Sequence, residues 1–121
     1  MTSTASSIAI KDVAAVISTA RFEDARAWYS RLLGREPDLE PVPGVAEWQL
    51  TATAWLQVIT DSAGAGRSAV RFGVDDLDAT AAWLRDDGVR VTEPQVIANI
   101  VAVIDVADPD GNEVSFVAEL G

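Results

Sequence analysis

Trp28 and Trp83 lie 55 residues apart, and the same offset relates Phe22 to Leu77, Glu23 to Asp78, Ala27 to Ala82 and Ile17 to Phe72. An internal repeat constrains a fold more tightly than local propensity, because each copy must be one supersecondary unit that buries its apolar face against a neighbour. Reading one copy therefore reads both. The chain of 121 residues is long enough for one domain with a sizeable core.

The first copy opens with "VAAVIST", Val13 to Thr19, a short β-branched run that reads as a strand buried on both faces. "RFEDARAWYSRLLG" follows, with Phe22, Ala25, Trp28, Tyr29, Leu32 and Leu33 at helical spacing and Gly34 as the stop. Pro37, Pro41, Pro43 and Gly44 confine residues 36–42 to an edge strand or loop. "VAEWQLTATAWLQVIT" then reads as a hairpin. After the small-residue linker "DSAGAGRS" the order recurs. "AVRFGV" is a strand, "DDLDATAAWLRDDG" a helix with an acidic first turn closed by Gly88, "VRVTEPQVI" a strand interrupted by Pro94, and "NIVAVIDVADPDGNEVSFVAEL" a hairpin. In the last of these, Asp108, Pro109 and Gly111 supply turn chemistry, and Val114, Phe116, Ala118 and Leu120 alternate with Glu113, Ser115, Val117 and Glu119. The reading is α+β: two βαβββ modules in tandem, their sheets curving around a cleft. A flexible N-terminal tail covers 1–11. One domain spans 12–121, with module one over about 12–61, a linker at 62–67 and module two over about 68–121.

Two absences bound the chemistry. The chain has no cysteine and no histidine, which removes thiolate nucleophiles, the commonest metal ligand and the usual general base near neutral pH. The net charge of −10 argues against nucleic acid and against an anionic membrane surface as partners. It suits a cationic ligand, and equally a surface that is simply soluble. No apolar run reaches the length of a membrane span, and "MTSTASS" lacks the basic start and hydrophobic stretch of a secretory signal, so the expected location is cytoplasmic.

"ARAWYSRLLG", the strands after it, the second helix and "DPDGNEV" together resemble the vicinal oxygen chelate superfamily. That group includes glyoxalase I, extradiol dioxygenases, fosfomycin-resistance thiol transferases, methylmalonyl-CoA epimerase and bleomycin-binding proteins. The resemblance runs from about Asp12 onward. It implies paired βαβββ modules around a cleft where a divalent metal usually sits, held by residues of the first and last strand of each module, mostly His and Glu. Carried onto this chain, those positions fall on Ala14, Gln57, Ala69 and Ser115. Methyl groups cannot ligate, and a neutral amide and a hydroxyl are weak ligands alone. The expectation is a metal-free member of the group without a cofactor. The family commonly completes its clefts across a two-fold axis, so the resemblance also implies a homodimer.

Strand alternation gives the cleft wall. Val16 and Ser18 share a face with Ala14. Trp55, Ile59 and Asp61 share one with Gln57, Arg71 one with Ala69, and Glu113, Val117 and Glu119 one with Ser115; Glu47 and Gln49 are assigned to the same side, leaving Trp48 toward the helix. Trp55 either contacts a ligand or plugs the cleft or a dimer seam. Trp28, Trp48 and Trp83 are assigned to packing. Arg71 either clamps a ligand carboxylate or pairs with Glu119 or Glu113. Asp105 is assigned to local backbone bonding, and Asp108 and Asp110 wholly to the turn. The candidate ligand-binding set is Trp55, Gln57, Arg71, Ser115, Glu47 and Glu119.

Three functions fit these residues. The first is a metal-independent small-molecule-binding protein, similar to the bleomycin-binding branch, sequestering a cationic or aromatic compound such as an antibiotic. The second is a metal-free isomerase, lyase or cyclase with Glu47 or Glu119 as base. The third is a dimerisation or partner-binding domain whose cleft is filled by its own side chains. No nucleophile with an activating partner is visible, so catalysis is the weaker reading.

Overall fold

The computed structural model describes residues 7–120. The N-terminal tail expected over 1–11 lies partly outside them, and residues 7–11 carry no helix or strand and are exposed. Module one runs β1 (Val13–Thr19), α1 (Phe22–Leu33), β2 (Val45–Thr51) and β3 (Ala54–Thr60). Module two runs β4 (Ala69–Gly73), α2 (Leu77–Asp86), β5 (Gln95–Ile97), β6 (Val101–Ala107) and β7 (Glu113–Glu119). The first sheet has the order β1-β3-β2 and the second β4-β7-β6-β5. In both, the first strand lies parallel to the last and the hairpin strands are antiparallel. The outer strand of module one is reduced to a single bridge, Leu39 to Glu47, as expected for a stretch holding three prolines. This is the α+β architecture of tandem βαβββ modules.

The helices form for local reasons. Asp76 caps α2 by accepting the Ala79 N–H at 2.9 Å. Gly34 ends α1 in the left-handed conformation, φ +73°, which a side chain would strain. Each helix presses one stripe onto its sheet. Tyr29, Trp48, Leu56 and Val58 from module one and Leu84, Ile104, Val114 and Phe116 from module two form one continuous core.

The sheets meet along β1 and β4 through side chains rather than a strand ladder. The Ser18 N–H donates to Ser68 Oγ at 3.0 Å. Asn112, fully buried, donates Nδ2 to the Ser18 carbonyl at 2.9 Å and accepts the Ser68 N–H at 2.9 Å. The turn before β7 also reaches module one. Asp108 accepts the Tyr29 hydroxyl at 2.7 Å, and Asp110 accepts the Thr19 hydroxyl at 2.5 Å and the Ala20 N–H at 2.9 Å. Asp108 and Asp110 therefore do more than shape their turn: they bind the two modules together. Burial by the protein and the Asp108 carboxylate raise the Tyr29 phenol well above the ordinary range.

Four expectations are corrected. β1 is not buried on both faces: Ile17 is buried, while Ala14 and Val16 are exposed on the opposite side. Residues 89–94 form no strand, and Pro94 leaves only Gln95–Ile97 to pair with β6. Leu120 lies beyond the end of β7 and is exposed. Trp83 is not core: 55% of it is exposed, because it projects between the two helices instead of beneath α2. Trp28 packs against the core edge-on to Tyr29 at 4.7 Å, and Trp48 is fully buried.

Candidate functional site

The face opposite the helices carries the candidate site. In module one, Glu47 is paired across the sheet with Gln57, Gln49 with Trp55, Trp55 with Ala14 and Gln57 with Val16. Alternation sends all of these to one side, while Trp48, Leu56 and Val58 go to the core. A pocket of about 270 Å³ opens there, lined by Asp12, Ala14, Leu39, Glu47, Trp55 and Gln57. Ala14, one methyl wide, leaves the space that Trp55 borders. Gln57 donates Nε2–H to Glu47 at 2.7 Å, which fixes the amide and leaves the outer carboxylate oxygen of Glu47 free to accept. Among the described residues the lining has two carboxylates, an indole and no lysine or arginine. Its field favours cations, and its indole face favours them further.

Module two builds the corresponding arrangement with different residues. Arg71 is paired with Ser115 across β4 and β7, and Ser115 with Asp105 across β6 and β7. Ser115 is buried, donates its hydroxyl to Asp105 at 2.5 Å and lies 3.3 Å from the Glu113 carboxylate. Asp105 thus bonds a side chain on the neighbouring strand, not the local backbone. The across-hairpin partner of Ser115 could have been found by counting back through the turn. Arg71 is exposed and makes no ion pair among the described residues, so its expected pairing with Glu113 or Glu119 is absent. Glu119 is exposed at the end of β7, opposite Val101.

The structure therefore brings Trp55, Gln57 and Glu47 together and places Arg71 and Ser115 side by side in the other module. Glu119 joins neither group. Asp12 and Leu39 were not foreseen. Asp12 precedes the first strand and Leu39 sits in the proline-rich stretch, where no periodicity assigns a face.

The four positions that the resemblance assigns to metal ligation hold two methyls, an amide committed to Glu47 and a hydroxyl committed to Asp105. Among the described residues no group of three or more His, Cys, Asp or Glu side chains could hold a metal ion. This donor set does not fit a divalent cation.

Known proteins share this fold. No curated protein matches the chain. A glyoxalase/bleomycin resistance protein from Catenulispora acidiphila is 33% identical with a TM-score of 0.81, over 88% of this chain and 96% of its own. The antibiotic-binding protein TnmS3 from a Streptomyces species has a TM-score of 0.77 at 18% identity, over 97% of this chain and 100% of its own. A lactoylglutathione lyase from Agrobacterium tumefaciens has a TM-score of 0.73 at 16% identity, over 94% of each chain. At such identities the last two speak for the fold alone. The family model matches residues 10–116, and the chain belongs to the glyoxalase/bleomycin resistance protein/dioxygenase superfamily.

Proposed function

We propose that this protein is a metal-independent small-molecule-binding protein that takes a cationic aromatic compound, such as an antibiotic bearing that chemistry, in the pocket at Trp55. One observation carries this reading: Trp55, Glu47 and Asp12 line one pocket with no basic side chain among the described residues. An aromatic cation gains from the indole face and from both carboxylates, whereas an anion gains from neither. Gln57, anchored on Glu47, contributes a carbonyl acceptor and holds the carboxylate in place.

The pocket is small for a drug-sized guest, and Leu39 and Val16, about half exposed, border the open side of this face. A second copy of the chain in a cytoplasmic homodimer would close it. The antibiotic-binding relative of the same fold supports a sequestering role for this architecture. Titration with benzamidine, followed by calorimetry, tests the reading. Binding that weakens about tenfold or more in Trp55→Ala and in Glu47→Gln is expected. Equal affinity for benzamidine and for benzoate would count against it.

A further inference from the structure

A recess of about 720 Å³ opens between α1 and α2, on the helix-covered side of the molecule, and shares no residue with the pocket at Trp55. Trp83 forms one wall. Its indole N–H donates to the Leu32 carbonyl at 3.0 Å, and a Cβ on Gly34 would sit 3.5 Å from the ring, so the indole is held in place while 55% of the residue stays exposed. The recess is of the size that encloses small organic ligands.

Its polar groups converge. Arg26, Arg31 and Arg35 line it, three of the nine lysine and arginine side chains in a chain of net charge −10. Arg26 is held between Glu36 and Glu40, and Arg35 by Asp38. Among the described residues Arg31 meets Asp87 alone, at 3.2 Å, and both side chains are exposed. A lone exposed pair of this kind contributes little, so the Arg31 guanidinium is readily redirected. Ser30, which also lines the recess, is 8% exposed, and its hydroxyl oxygen, closed off from solvent, has no hydrogen-bond partner among the described residues. A buried hydroxyl without a partner is uncommon and normally explained by something that bonds it.

We propose that this recess is a second ligand site, separate from the cleft, for a small aromatic monocarboxylate. The ring lies on Trp83. The carboxylate takes the planar fork of Arg31, whose geometry matches it in bidentate fashion; a small rotation of the Ser30 side chain would let its hydroxyl join that contact. Asp86 and Asp87, which also line the recess, disfavour ligands of higher negative charge, such as phosphate esters.

Calorimetric titration of the full chain with naphthoate and its neutral isostere naphthamide tests this. Saturable naphthoate binding is expected, weaker by about tenfold or more for naphthamide, and for naphthoate with Arg31→Gln, since charge-assisted bonds are lost in each case. Trp83→Leu should also weaken it, and Trp55→Ala should leave it unchanged. Because Arg31 and Trp83 are exposed, both variants should still fold, with only a small drop in melting temperature for Trp83→Leu, and the naphthamide comparison needs no variant at all. The proposal is overturned by no saturable heat at millimolar naphthoate, by equal affinity for the two compounds, or by loss in Trp55→Ala. It is overturned equally if Trp83→Leu converts a dimer to a monomer, which would mean that a second copy covers the recess.

Discussion

Gln57 and Ser115 occupy the same register in the two modules, each paired with the first strand on one side and with a carboxylate residue on the other. Each donates to that carboxylate, Gln57 to Glu47 at 2.7 Å and Ser115 to Asp105 at 2.5 Å. At two of the four positions where the resemblance places metal ligands, this chain has neutral donors facing acids. Ser115→Ala removes the shorter bond and leaves the half-buried Asp105 short of a donor. A loss of about 1–2 kcal/mol is expected, read as a lower midpoint in urea with an unchanged slope.

Asn112 joins β1, β4 and the turn at once. Its side chain donates to the Ser18 carbonyl and to Asp108, both out of water, and accepts from Ser68 in a part-buried bond, all at 2.9 Å. Asn112→Ala breaks three bonds and orphans the groups opposite. Destabilisation on the order of 3 kcal/mol is expected by the same denaturation measurement, well above that of an exposed substitution.

Tyr29 is the single tyrosine of the chain and donates to the buried Asp108 at 2.7 Å. Its folded-state pKa is raised, first by burial and then by the Asp108 charge. A raised folded-state value means that the stability from this proton is complete below the unfolded value and declines as pH rises beyond it. Stability should therefore fall above about pH 10, where the unfolded phenol ionises. Phenolate absorbance should appear only together with loss of the fold. Tyr29→Phe should flatten that alkaline decline while costing about 1–3 kcal/mol at neutral pH.

The four tryptophans separate core from surface. Trp48 is fully buried and donates to the Arg35 carbonyl at 3.1 Å, whereas Trp83 is more than half exposed. Trp48→Ala should cost about 3–5 kcal/mol, and Trp83→Ala about 1 kcal/mol. Equal costs in thermal melts would show that the helix layer closes over Trp83.

These contrasts mark how far the sequence could be read. The repeat was legible because each module repeats the same order, and the hairpin of module one was legible because β2 and β3 alternate; β1, with no alternation in its sequence, was assigned two buried faces where it has one. The side of Trp55, Gln57 and Glu47 followed from that alternation. Trp83 was misread because helical spacing gives a direction around α2 but not the neighbour met there, and α1 arrives from the other module. Asp12 and Leu39 carry no periodic signal. The bridging role of Asp108 and Asp110 was hidden because turn chemistry alone accounts for both residues. The pairing of Ser115 with Asp105 depends on hairpin register, which the five-residue turn sets.

The central claim is that the cleft at Trp55 holds an organic cation without a metal. Benzamidine titration of protein stripped with EDTA, beside protein incubated with zinc or nickel and then desalted, with metal content measured in both, tests it most directly. The account predicts the same affinity in the two samples and less than stoichiometric metal in the second. A stoichiometric ion retained in the cleft, with ligand binding that disappears on chelation, would contradict it.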